Sequence, residues 1–219
     1  MQNVRVFFRK VGDARFLSHL DVMRCFTRAV KRSGFDVWYT QGFNTHIYLM
    51  FASPLSLGFE SEYEPMDFRI ISDDPVDGQD VIRRLNSGLP DGLSVFASSA
   101  PVHEHTDVAF SEWEIEVFGD GPELYRLFSE FISRDEIPVT RKNKKGVEKT
   151  ENAAESIRKI SCEDLGDRLA VNAVLRSDTN SSLNPALLIN TFLSLCGKES
   201  ADVRVRRKKL LLADMTDFV

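Results

Sequence analysis

Apolar Val4, Val6 and Phe8 are interleaved with Arg5, Phe7 and Arg9, the period-two pattern of a half-buried strand. Gly12-Asp13 turns the chain. Ser18-His19-Leu20-Asp21 then reads as a capping box, with Ser18 as N-cap and Asp21 reaching back to the cap amide. The spacing predicts a helix with a core stripe of Leu20, Met23, Phe26 and Val30. Asp21, Arg24, Arg28 and Lys31 fall on another face, and Gly34 ends the helix. Extended pieces are expected at 37–39 and 47–52, either side of a Gln41-Gly42-Phe43-Asn44 loop. The run Glu60-Ser61-Glu62-Tyr63-Glu64 reads as a solvated loop leading into a strand through Met66, Phe68 and Ile70. Val81, Ile82 and Leu85 mark a short helix, and Leu93, Val95 and Ala97 a further strand. The order β-α-β-β-α-β is that of a ferredoxin-like split βαβ unit.

The polar stretch from Pro101 to Asp107, with His103 and His105, is expected to be a linker. Beyond it the order repeats. Trp113, Ile115 and Val117 alternate with Glu112, Glu114 and Glu116. Leu124, Leu127, Phe128, Phe131 and Ile132 match the helical template i, i+3, i+4, i+7, i+8. A strand at Pro138 to Thr140 and another through Leu169, Val171, Ala173 and Leu175 flank a basic insertion. Asn184-Pro185 caps a second helix, and Val203 to Leu212 closes as a strand. The expectation is therefore an α+β chain of two tandem ferredoxin-like halves with antiparallel sheets. The first half would span 1–100, and the second 108–219, with a basic hairpin near 141–149.

Composition changes this picture little. The 219 residues are 42% hydrophobic and 28% charged, an ordinary globular mixture. No run of about 18 uncharged apolar residues exists, so no membrane helix is expected. The N-terminal MQNVRVFFRK lacks the layout of a signal peptide. Cys25, Cys162 and Cys196 are sparse and form no CxxC, which argues against a disulfide framework, a zinc knuckle or an iron–sulfur site. A cytoplasmic protein without cofactor or metal is expected.

Charge matters more. The net charge of −5 is divided into +6 over residues 1–32, −15 over 33–136 and +4 over 137–219. A chain so segregated can present a positive face despite an acidic total. Arg15, Arg24, Arg28, Lys31 and Arg32 make the first basic group, and phosphate tracking is its functional reading. Phe43, Trp38 and Tyr39 lie close in sequence, and nucleobases stack on such rings; core packing is the other use for them. Arg141, Lys142, Lys144, Lys145 and Lys149 surround a glycine-containing tip, the composition of an arm that follows a nucleic-acid backbone. Alternation puts Arg204, Arg206 and Lys208 on one face of the last strand, a second basic patch; cations guarding an exposed sheet edge are the other reading. His19, on the first turn of a helix, is expected to have a lowered pKa through the macrodipole. If the loop folds back, His19 and His46 could act as acid and base on a phosphodiester. Capping and surface roles are the alternative.

The segments VRVFFRKVGDARFLSHLDVMRCFTRAVKRSGF, YTQGFNTHIYLMFASPLSLGFESEYEPMDFRI, EIPVTRKNKKGVE and SLNPALLINTFL resemble a bacterial family of uncharacterised radical-SAM-linked proteins. The family loop Gly-Phe-Asn-Pro-His-Pro carries Thr45 and Ile47 here in place of its prolines, which suits a recognition surface better than a rigid catalytic centre. The cluster-binding cysteines of a radical-SAM enzyme are absent, so the resemblance implies partnership with such an enzyme. The leading expectation is an RNA-binding accessory protein that presents structured RNA, tRNA or rRNA, to a separate radical-SAM or RNA-processing enzyme. His19, Asn44 and His46 would contact the substrate, and Arg24, Arg28, Arg141, Lys142, Lys144 and Lys145 would follow its phosphates. The alternatives are a metal-independent endoribonuclease using His19 and His46, and a protein–protein adaptor for a radical-SAM enzyme without RNA contact.

Overall fold

The first strand, β1 (Gln2–Lys10), is buried on both faces from Val4 to Phe8. The alternation suggested a half-buried strand; both faces are covered instead, and β1 pairs antiparallel with β3 (Glu60–Ile70) on one side and β4 (Leu93–Ser99) on the other. Val4, Val6 and Phe8 join the apolar core. On the opposite face Phe7 packs against Tyr63 and Phe96. Arg5, only 1% exposed, is matched there by Asp67 directly across the ladder.

The structure is a computed structural model that describes residues 1–142, 148–178 and 181–219. It is a mixed α+β fold with antiparallel strand pairing and four α-helices among the described residues. The chain divides into two units, Met1–Val108 with Asp217–Val219, and Ala109–Thr216.

In the first unit α1 (His19–Arg32) starts on the expected capping box. Ser18 Oγ accepts from the Asp21 amide, and Asp21 accepts from the Ser18 amide. Its buried stripe is Val22, Phe26, Ala29 and Val30. Leu20, expected in the core, is 57% exposed. It stands six residues before Phe26, about 240° around the helix, so it faces away. β2 (Leu49–Phe51) pairs with β3, and α2 (Gly78–Asn86), capped by Asp77, buries Val81 and Leu85. The strand order within the unit is β4-β1-β3-β2.

Two further expectations are corrected here. Glu60 to Glu64 is not a solvated loop but the first half of β3, and Glu64 and Ser61 are buried opposite Phe8 and Lys10. The 101–107 stretch is not a loose linker. It forms a 3-10 turn at His105–Asp107, and His105 Nε2 lies 2.8 Å from Asp67 Oδ2.

In the second unit β5 (Phe110–Phe118) keeps the clean alternation, burying Ser111, Trp113, Ile115 and Val117. α3 (Gly121–Ile132) buries Leu124, Phe128 and Phe131. β6 (Pro138–Lys142) and β7 (Glu148–Asn152) form a hairpin. β8 (Ile157–Asp164), β9 (Arg168–Arg176), α4 (Pro185–Leu195) and β10 (Val203–Leu211) complete the unit, with strand order β10-β5-β9-β8. Phe128 and Phe131 meet Phe192 of α4 in its core.

Candidate functional site

His19 is the first residue of α1 and is half-buried. Its ring meets Phe51 edge-on at 5.2 Å. It lines a narrow recess with Phe8, Lys10, Val22, Phe51, Leu55 and Glu64. Burial lowers its pKa, and the Lys10 ammonium lowers it further. The neutral imidazole expected from the helix terminus is therefore present chiefly for another reason, loss of hydration. The sign follows. A folded-state pKa below the unfolded value means the unfolded chain takes up a proton first as pH falls. This group therefore subtracts stability from just below pH ~6.5, the ordinary imidazole value, down through its folded pKa. An NMR titration of wild type and His19→Gln should assign the His19 resonance a pKa below that ordinary value; an equal or higher pKa would contradict the burial argument.

Sequence reasoning does not single out Lys10, and it reads Glu64 only as part of a solvated acidic run. Both are buried and line the same recess, and Lys10 Nζ donates to the Arg15 carbonyl at 3.2 Å. Only the β1–β3 register brings them there, and no local pattern encodes it.

His46 belongs to a different structure. Val37 pairs with Ile70 and Leu49 with Phe68, so the chain between them leaves the β3 edge and returns. It closes on itself as a small hairpin. Tyr39 bridges Ile47, and the Thr40 amide donates to the His46 carbonyl at 2.8 Å. His46 Nδ1 lies 2.9 Å from the Asn44 carbonyl and 3.1 Å from Thr40 Oγ1. One ring nitrogen, Nδ1, thus helps to hold the Gln41–Thr45 tip, and His46 itself is exposed. Under the hairpin, Trp38 and Tyr48 meet edge-on at 5.9 Å, and the Arg69 guanidinium lies 4.9 and 4.4 Å from the two ring centres and donates to Asn3. Asn44 is exposed, and Phe43 is fully exposed. Among the described residues no hydrogen bond, ring contact or shared recess joins His19 to His46.

Most of the expected phosphate contacts on α1 are available. Arg24 is exposed and pairs with Asp21 at 3.2 Å. Arg28, Lys31 and Arg32 are exposed, with no ion-pair partner among the described residues. Arg15 stacks on Phe16. The other basic segments differ. Arg141 is engaged within its own unit, donating to the Ser182 carbonyl and lying 3.7 Å from Glu151. Lys144 and Lys145, with the side chain of Lys142, lie outside the described residues. On β10 the positive face meets the acidic face of β5: Arg204 is opposite Glu116, and Arg206 and Lys208 reach Glu114 at 3.8 and 3.6 Å. Arg207 is buried over Trp113. That strand is charge-balanced by its neighbour rather than a second basic patch.

Among the described residues no group of three His, Cys, Asp or Glu is placed to hold a metal ion. No helix among them is long and apolar enough to cross a membrane.

A family model described as an uncharacterized protein conserved in bacteria matches residues 3–185. That description names no enzyme partner. No curated protein matches the chain. Among solved structures, a chain from a Cbf5-Nop10-Gar1 complex aligns with a TM-score of 0.51 at 10% identity, over 94% of this chain and 48% of that one. The present chain thus spans about half of that relative's length, and the likeness is one of fold alone. A structure of an unknown protein from Galdieria sulphuraria aligns over 94% of this chain and 98% of that one, at 13% identity and a TM-score of 0.27.

Proposed function

The chain belongs to this family of uncharacterized bacterial proteins, DUF2344, and we propose that it is an RNA-binding accessory protein that presents structured RNA, tRNA or rRNA, to a separate radical-SAM or RNA-processing enzyme. The observation that carries the reading is the exposed face of α1, where Arg28, Lys31 and Arg32 have no described acidic partner. Unpaired surface cations with an approach for a polyanion gain by releasing its condensed counterions. Cations already facing carboxylates, such as Arg206 and Lys208, gain much less. The orders β4-β1-β3-β2 and β10-β5-β9-β8 support a finer reading of the fold, two ferredoxin-like βαββαβ units, the second with the β6–β7 hairpin inserted.

Filter binding of tRNA and rRNA fragments over a salt series tests it. Affinity should fall steeply as salt rises. The Arg28→Gln, Lys31→Gln, Arg32→Gln triple variant should flatten the log–log slope by about 2 to 3, close to one per lost phosphate contact. Retention of no RNA by the wild type at low salt would remove the proposal and leave the adaptor alternative. The endoribonuclease alternative needs both imidazoles at one phosphodiester. Among the described residues no hydrogen bond, ring contact or shared recess joins His19 to His46, so that alternative gains no support here.

A further inference from the structure

The hairpin that His46 closes has a tip with no contact to explain it. Phe43 is fully exposed at that tip, although phenylalanine is among the residues most often buried. The base beneath it is built to be stiff. Thr40 and His46 close the tip with backbone and side-chain hydrogen bonds, Trp38 donates to the Arg69 carbonyl, and the Arg69 guanidinium packs against the edge-on pair of Trp38 and Tyr48. An aromatic ring held outward on an ordered support loses little entropy when it finds a partner.

What lies nearby selects the partner. Arg32 ends α1 five positions before Val37, and the Asp36 carbonyl accepts from the Ile71 amide at 2.7 Å. The last turn of α1, with Lys31 and Arg32, therefore delivers the chain to the corner of the sheet from which the hairpin leaves. A projecting ring on a hairpin that leaves the corner reached by these cations complements a nucleotide, whose base offers a flat face and whose phosphate offers the charge. A base inside a duplex has both faces covered by its neighbours. We propose that Phe43 is the stacking platform for an unpaired nucleotide, so that this corner recognises single-stranded or looped RNA. This rests on the RNA-binding reading above and narrows it to a class of substrate.

The test compares wild type, Phe43→Ala and Phe43→Trp on an oligouridine and on a blunt RNA duplex of equal length at low salt. Phe43 is fully exposed, so both variants should keep the wild-type fold by circular dichroism. Phe43→Ala should weaken oligouridine binding by about 5- to 100-fold and leave duplex binding unchanged, and Phe43→Trp should retain affinity for both. If the wild type binds neither RNA, the RNA-binding reading falls and this inference with it. If the wild type binds oligouridine and Phe43→Ala binds it equally well, the stacking role alone falls and the ring belongs to a protein contact. An equal loss on the duplex would also overturn the assignment to unpaired nucleotides.

Discussion

Asp67→Ala is expected to destabilise the first unit by about 3–5 kcal/mol, the usual result of stranding one member of a buried ion pair. Arg5 is fully buried, and its Nε and Nη2 donate to the two oxygens of Asp67 at 2.7 and 2.8 Å. Its other donors go to the main-chain oxygens of His103 and Val219, at 2.8 and 3.1 Å. Without the Asp67 carboxylate, the guanidinium loses its bidentate partner in a buried site. His105, 2.8 Å from Asp67 Oδ2, cannot replace it, because imidazole carries no negative charge at these pH values. Replacing both partners, Arg5→Met with Asp67→Leu, should cost far less than the sum of the single losses, since no charge is then left unmatched. Urea unfolding of the four proteins measures this; additive losses would show that the pair is not coupled. Acid should expose the same pair. Burial raises the Asp67 pKa, but the hydrogen bonds from Arg5, the close approach of His105 and the charges of both outweigh it, and the carboxyl sits below the usual carboxylate range. A depressed carboxyl pKa contributes stability that is complete above the unfolded value of about 3.9 and is lost as pH falls through the folded one. Wild type should therefore lose stability below pH ~4 by an amount that the double variant lacks.

What could be read along the chain was whatever is local. The Ser18–Asp21 cap is formed by groups three residues apart, and it stands as expected. The alternation of β5 was legible because Glu112, Glu114 and Glu116 occupy its other face and advertise the period. The basic face of α1 was legible for the same reason, since helical spacing alone puts Arg24, Arg28 and Lys31 together. What could not be read depends on pairing between distant residues. Arg5 looks like a solvent position until Asp67 is placed across from it, and Glu64 looks like loop polarity until register sets it opposite Phe8. The charge of β10 looked like a patch because the carboxylates that balance it lie on another strand. The Thr40–His46 closure depends on a hairpin that the loop composition only hinted at.

The second large effect is expected at Phe218, a residue to which no sequence pattern drew attention. Phe218→Ala should destabilise the first unit by about 3–5 kcal/mol. Asp217–Val219 group with that unit, and the Phe218 side chain is completely buried. Its ring lies 4.5 Å beneath the Arg5 guanidinium and 6.2 Å from the rings of both His103 and His105. The backbone is held as well: Tyr63 Oη donates to the Phe218 carbonyl at 2.9 Å. Burial pushes the Tyr63 hydroxyl pKa up to about 12, and the nearby Asp217 adds to it, so this donor keeps its proton at any pH at which the protein is handled. Truncation of the ring removes apolar burial and leaves a cavity beside a buried cation, two losses that the surrounding sheet cannot recover by collapsing. Because Arg5 touches both Phe218 and Asp67, the Phe218→Ala and Asp67→Ala effects should not add. A coupling of at least about 0.5 kcal/mol is expected between them, whereas residues far apart add to within that margin. Hydrogen exchange of the β1 and β3 amides gives the local readout. Protection should fall in both strands in Phe218→Ala while β5 and β9 keep theirs, and unchanged protection of β1 would show that the last three residues do not hold the first unit together.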